Sequence, residues 1–461
     1  MKNKVLLAAV NSQYLHSCPA LYALRRVAEA QGLGHMLCTK DFSINMPMLR
    51  VIEDILTEQP TVLAFSCYIW NMDYLRLLIE DLHQILPDVP CYLGGPEATM
   101  QAELLLRELP IAGVFLGEGE ISFPAFLAAL EKGEDLAQVP GLLRQGGEKP
   151  LPLPRTDLAQ TPFLYTPAEL RELSQQHKII YYESSRGCPF ACSFCASAVE
   201  PLRERPLPLV FAELKQLAQA GGQIKFIDRT FNANERAVQI TQKLLDLYRP
   251  GLSWHCEISP FHISPKLAEL WKKTPKDYLD LEMGVQTLYP KALRAIGRRG
   301  DWDKAEPLVK ELISQGNLHL HLDLIAGLPE DTPEEFAKSF HRLHQLNADY
   351  LQLGFLKVLP GSPLAATARE QGLIWENHPP YRILATPNMS AAWLLQLFRA
   401  ERMFNALYNR GKDEFRQRLI EAAEKAPGGA LTLYQQAAAL HPGIQGLSQQ
   451  EKITLVNTLC Q

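Results

Sequence analysis

Twice along this chain, short apolar runs alternate with segments of helical periodicity, and that rhythm restricts the fold more than any other feature. An apolar run bounded by turn residues suits a strand buried on both faces, and strands separated by helices imply a parallel sheet. Residues 4–10 (KVLLAAV), 61–66 (TVLAFS), 91–93 and 113–116 (GVFL) read as strands, with helical segments at 19–31, 51–58, 72–86 and 101–109. This predicts a doubly wound parallel sheet of Rossmann type over residues 1–145. A second series has strands at 179–182, 223–227 (QIKFI), 252–257, 278–284, 319–326 (HLHLDLIA) and 350–358. Six strands with intervening helices predict a partial (β/α)6 barrel of TIM type over 179–366. Residues 146–178, rich in Gly and Pro with little periodicity, read as a linker, and 367–461 as a helical tail.

In both architectures ligands collect beyond the carboxyl ends of the strands, so the residues there are the candidates. In the first domain the four strands run into polar or glycine-bearing loops that carry Asn11 and His16, then Ser66, then Gly94, Gly95 and Glu97, then Gly117, Glu118 and Gly119. Glycine serves tight turns in general; four polar or glycine-bearing loops in succession at the strand ends mark this edge as the candidate ligand site. In the second series the strand ends carry Asp228 (DRTFN), Glu257, Gln286 (GVQ), Gly327 (GLP) and the run LPGSP at 359–363.

The first strand of the second series leads into RGCPFACSFC, with Cys188, Cys192 and Cys195 spaced C-x3-C-x2-C. Thiolates at this spacing on a loop leaving a strand converge on one soft metal centre. A structural zinc site closes with a fourth Cys or His, and residues 196–230 supply neither. Three ligands without a local fourth suit an iron–sulfur cluster with one open iron; three chance cysteines, or a zinc ion completed from a distant segment, are the alternatives. Arg294, Arg298 and Arg299 follow Gln286, either as helix-end cations or as groups for a carboxylate or phosphate.

Nine cysteines, an odd number, and no disulfide-like framework point to reduced thiols. The formal charge of −5 gives no basic field, so nucleic-acid binding is not expected. No apolar run reaches the ~18–20 residues of a membrane span, and residues 1–10 lack the features of a cleaved leader. The expectation is a cytoplasmic protein without a membrane partner.

The cysteine loop, with the aromatic Phe194 before its third cysteine, resembles the cluster loop of radical S-adenosylmethionine (SAM) enzymes. The LGGPEAT and GEGE runs ahead of it resemble the cobalamin-binding domain that precedes the barrel in one branch of that family, and the tail together with the NSQYLHS run at 11–17 resembles a subgroup of that branch with an uncharacterised C-terminal domain. The resemblance covers roughly residues 1–365. It implies a [4Fe–4S] cluster on Cys188, Cys192 and Cys195, and SAM contacted by Phe194, Asp228, Glu257, Gln286 and Gly327. It also implies cobalamin against Asn11, His16, Ser66, Gly94, Gly95, Glu97, Gly117, Glu118 and Gly119. The D-x-H-x-x-G pattern that supplies a histidine ligand to cobalt is absent, so no such ligand is expected. The implied activity is reductive cleavage of SAM to a 5′-deoxyadenosyl radical, fed by a flavodoxin- or ferredoxin-type one-electron reductant. Methylation of an unactivated carbon of a small-molecule or biosynthetic-intermediate substrate is the first expectation. Cyclisation or rearrangement, loss of cobalamin binding, and a non-catalytic sensor are the alternatives.

Overall fold

The computed structural model describes residues 3–147, 149–443 and 446–461. Met1 and Lys2 of the leader reading, Glu148 of the linker and Ile444 and Gln445 of the tail lie outside them. The chain divides into two compact units, one comprising 1–185, 203–225 and 249–252 and the other 186–202, 226–248 and 253–461.

The first unit is built on the strands β1 (Val5–Asn11), β2 (Leu37–Ser43), β3 (Val62–Ser66), β4 (Cys91–Gly94), β5 (Gly113–Phe115) and β6 (Leu142–Arg144), in the order β2-β1-β3-β4-β5-β6. The β1 pairs with β2 and β3, and the β3–β4 and β4–β5 pairs, are parallel; β6 adds antiparallel to β5. All seven residues of β1 are buried, as a central strand covered on both faces requires. Leu6, Ala8 and Val10 pack against the helices Met48–Thr57 and Met72–Ile85, whereas Val5, Leu7 and Ala9 pack against Pro19–Ala30 and Gly119–Lys132. The doubly wound prediction therefore holds, with two additional strands. In the linker region the helix Pro167–Gln175 forms behind a capping box of Thr166 and Glu169.

The second unit contains β11 (Leu252–Ile258), β12 (Leu279–Gln286), β13 (His319–Ala326) and β14 (Tyr350–Phe355); the strands that precede them in the chain are β7 (Ile180–Tyr182), the short β8 (Ser185–Arg186) and β9 (Arg203–Glu204), and β10 (Gly222–Phe226). Within this unit the sheet runs β14-β13-β12-β11, and its β11–β12, β12–β13 and β13–β14 pairs are parallel. Leu320, Leu322 and Leu324 are fully buried while His321 and Asp323 between them are not, so one face of the strand packs and the other carries chemistry.

The tail is helical, as expected, and adds the ribbon β15 (Ile374–Trp375) and β16 (Ile383–Ala385). It also finishes the sheet. At the outer strand β14, the side chain of Asn409 accepts from Leu351 N at 3.1 Å and donates to Leu351 O at 2.8 Å, standing in for a neighbouring strand.

Candidate cluster and cofactor sites

In the first unit the glycine loops meet at a cleft of about 150 Å³. Ser66, Gly94, Gly95, Gly117 and Gly119 lie on its wall with Tyr68 and Glu120, against an apolar lining that includes Leu21, Leu24, Phe115 and Phe123. Gly95 has φ +104, and a Cβ there would lie 2.7 Å from Cys67 O. A Cβ on Gly119 would lie 2.8 Å from Leu24 Cδ2. A side chain at Gly95 would therefore clash with the Cys67 backbone, and one at Gly119 would push the Leu24 side chain aside. A cavity of this size holds about one aromatic ring, so it fits a flat heterocycle of a cobalamin nucleotide tail rather than the macrocycle.

The other four predicted residues of this edge are engaged elsewhere. Asn11 is buried and donates to Asp41 and to His16 O, and Lys178 pairs with Asp41 at 3.1 Å. His16 Nδ1 meets Tyr181 Oη at 2.5 Å, and burial, aided by Lys225, lowers its pKa, which keeps the ring neutral at pH 7. Glu97 is buried, with its N–H donating to Cys67 O at 3.3 Å. Glu118 pairs with Arg203 and accepts from Thr156 N at 2.9 Å. Sequence reasoning missed Tyr68 and Trp70, whose rings stack at 4.3 Å on the loop after β3, with Trp70 exposed.

In the second unit the cysteine loop is fastened to distant segments. Ser193 N donates to Ile296 O at 2.9 Å, and Ser193 O accepts from Leu364 N at 2.7 Å. Cys188 N donates to Glu200 O at 3.2 Å, while Cys188 Sγ lies 3.6 Å from Thr230 Oγ1. Glycine is required twice. Gly187 has φ +84 and would place a Cβ 2.3 Å from Pro201 O; Gly297 has φ +69 and would place one 2.6 Å from Ala191 O. Of the three thiols, Cys192 is the buried one. Burial raises its pKa, and the nearby Arg298 opposes that. Arg298 Nη1 lies 3.9 Å from Cys192 Sγ and its Nη2 donates to Gly284 O at 2.5 Å.

The three sulfurs do not all lie within 4.8 Å of one another. Ligands of one tetrahedral zinc, at ~2.3 Å each, would sit about 3.8 Å apart. The more open spacing fits ligands that each hold a separate iron of a cluster.

Gln286 ends β12 at a bulge. Gly284 pairs with Asp323 and Gln286 with Leu324, so Val285 is the extra residue. Gln286 takes φ +74, and its Nε2 lies 2.5 Å from where a Cβ of Gly284 would be, so the side chain folds back over the glycine. Its Oε1 is buried without a hydrogen bond, an acceptor that fits a donor-bearing ligand such as SAM. Gly327, at φ +83, would place a Cβ 2.7 Å from Ile383 Cγ2. Asp228 is buried; Phe194 is half-buried, as is Glu257, whose backbone O accepts from Phe231 N at 2.8 Å. Asn232 of DRTFN binds Ser259 N, Ser259 O and His262 O, tying the loop after β10 to the loop after β11.

A glycine-walled cleft on a parallel sheet, and a three-cysteine loop on a β/α sheet with an adjoining glycine–glutamine bulge, define the class as a two-cofactor α/β protein. Comparison with known proteins makes this specific: the Radical SAM superfamily model matches residues 182–343, and the B12 binding domain model matches 5–127. The chain belongs to the radical SAM proteins that carry a B12-binding domain.

It is 29% identical over 287 residues to an uncharacterised methyltransferase of Pyrococcus horikoshii, covering 59% of this chain and 61% of that one. It is 28% identical over 337 residues to the cobalamin-dependent radical SAM methyltransferase TokK of Streptomyces tokunonensis, covering 66% and 48%. The chain thus spans between about half and three-fifths of these relatives' lengths. The structure of the radical SAM methyltransferase TsrM of Kitasatospora setae, with cobalamin and a [4Fe–4S] cluster bound, superposes with TM-score 0.66 at 17% identity, over 85% of this chain and 80% of that one, a likeness of fold.

Proposed function

We propose that this protein is a cobalamin-dependent radical SAM enzyme that methylates an unactivated carbon of a small molecule. The observation that carries the reading is the cysteine loop, preformed and open, braced to the helix end that presents Arg298. Bound to this chain, the cluster and SAM supply a carbon radical on one-electron reduction, and cobalamin supplies a methyl carrier. Cys188, Cys192 and Cys195 hold the cluster, and Arg298 offsets thiolate charge at Cys192. Gln286, Asp228, Glu257, Phe194 and Gly327 orient SAM. The five glycine-loop residues on the cleft wall admit the cobalamin tail, and Asn11, His16, Glu97 and Glu118 brace the loops around it. A ferredoxin- or flavodoxin-type protein is the reductant. Nine cysteines, an odd number, suit a reducing cytoplasm, and no helix among the described residues is long and apolar enough to cross a membrane.

The test is anaerobic reconstitution followed by cobalt and iron analysis and product detection with SAM. One cobalamin per chain, with formation of S-adenosylhomocysteine, is expected, and Cys192→Ala abolishes cluster assembly and SAM cleavage. Deoxyadenosine without S-adenosylhomocysteine would replace methyl transfer by cyclisation or rearrangement. A loaded cluster without SAM cleavage would overturn the enzyme reading.

A further inference from the structure

The second unit carries a group of titratable side chains that the proposed chemistry does not use. In the parallel register of β12 and β13, Glu282 stands directly opposite His321, and Asp323 follows on the same face of β13. The donor atoms of these three residues all lie within 4.8 Å of one another. All three side chains are half-buried on the middle rungs of the sheet, held by strands rather than by a mobile loop.

The contact inside the group has an unusual character. His321 Nε2 and Asp323 Oδ1 are 3.0 Å apart, yet His321 Nε2 is buried and makes no hydrogen bond, because the imidazole and carboxylate do not align a proton between them. Two donor atoms at this separation without a shared proton match adjacent ligands of one ion. Bonds of ~2.1 Å at right angles put neighbouring ligand atoms about 3.0 Å apart. The surroundings support the arrangement. His255 of β11 hydrogen-bonds Glu282 Oε2 at 2.8 Å, which orients that carboxylate, and the Tyr350 ring packs edge-on against His321 at 4.5 Å between centroids.

We infer that Glu282, His321 and Asp323 form a binding site for a divalent first-row transition-metal ion, distinct from the cysteine loop. A donor set of nitrogen and oxygen without thiolate selects manganese, iron(II) or zinc over softer ions. Three protein ligands leave coordination positions for water or for an oxygen of a bound small molecule. The site stands independently of the SAM and cobalamin assignments.

The experiment uses cluster-loaded protein titrated with Mn²⁺, an ion with little affinity for thiolates, and reads free Mn²⁺ by its six-line EPR signal. One Mn²⁺ per chain is expected, displaced by Zn²⁺. Asp323→Asn and Glu282→Gln, which keep the side chains' size, each weaken binding by about 100-fold or more, and His255→Phe weakens it by about 10–100-fold. Cluster absorbance and circular dichroism report whether each variant is folded, and His321→Ala provides a further variant should one fail. Absence of stoichiometric uptake of both Mn²⁺ and Zn²⁺ by the wild type would overturn the site, leaving the group as paired structural side chains. Uptake that persists unchanged in folded Asp323→Asn and Glu282→Gln would equally overturn it.

Discussion

Replacing Arg298 by Met removes the cation beside Cys192 while keeping much of the side chain's bulk. Two unit charges at the observed 3.9 Å interact by about 4 kcal/mol at an effective dielectric of 20. The guanidinium is half-exposed, and an added electron spreads over a cluster instead of residing on one sulfur, so a quarter to a half of that survives, ~1–2 kcal/mol. For a one-electron couple this lowers the midpoint potential by about 40–90 mV. EPR-monitored redox titration of the reconstituted variant, without SAM, reads the shift directly. Iron and sulfide analysis establishes that the comparison is between fully loaded proteins. Arg298→Lys keeps the charge but loses the fork that also reaches Gly284 O, and should shift by less than half as much. A fully loaded Arg298→Met protein with a potential within ~20 mV of wild type would refute the electrostatic role and leave Arg298 as a brace for the bulge.

Three further outcomes follow from the geometry. Gly95→Val forces an L-residue into a backbone region open essentially to glycine and drives a Cβ toward Cys67 O, so cobalamin content should fall at least tenfold at unchanged cluster absorbance; equal content would move the corrinoid elsewhere. Gln286→Leu removes the orphaned acceptor, and SAM affinity should fall by ~10-fold in equilibrium dialysis, about the worth of one hydrogen bond; an unchanged affinity would detach Gln286 from SAM. The Asp331 carboxyl is buried, and that burial pushes its pKa up to about 7. The folded state therefore holds a proton that the unfolded chain releases near pH 4, and stability falls as pH rises from there through 7. Asp331→Asn should raise the melting temperature more at pH 8 than at pH 5; an equal gain at both would refute the titration.

Much of this was legible in the sequence wherever a strand is buried on both faces. VLLAAV and VLAFS read directly, but β2, LCTKDFS, interleaves Thr39, Lys40 and Asp41 because it is an edge strand with five half-buried residues. Three-residue β6 is too short to show a period. The helix Pro167–Gln175 had a readable signal, Thr166 and Pro167 ahead of Glu169, which the surrounding prolines obscured. At the site, the cysteine triplet and the glycine loops were visible as motifs. The reason for G-x-Q was not: it lies in a bulge that exists only once β12 and β13 are in register. Arg298 was visible as a helix-end cation, but its reach to Cys192, 106 residues earlier, depends on the fold, as does the pairing of Glu118 with Arg203 across 85 residues.

The tail has no chemistry of its own in this reading, yet Asn409 satisfies both main-chain groups of Leu351 on the outermost strand. A catalytic core trimmed just after residue 366 would lose that seal and present an open hydrogen-bonding edge to any other chain in solution. Such a fragment would tend to dimerise or precipitate through strand addition, with its cysteine loop intact. The practical boundary of the folding unit is therefore set by Asn409, well beyond the end of β14 at Phe355, not by the last residue that touches a cofactor.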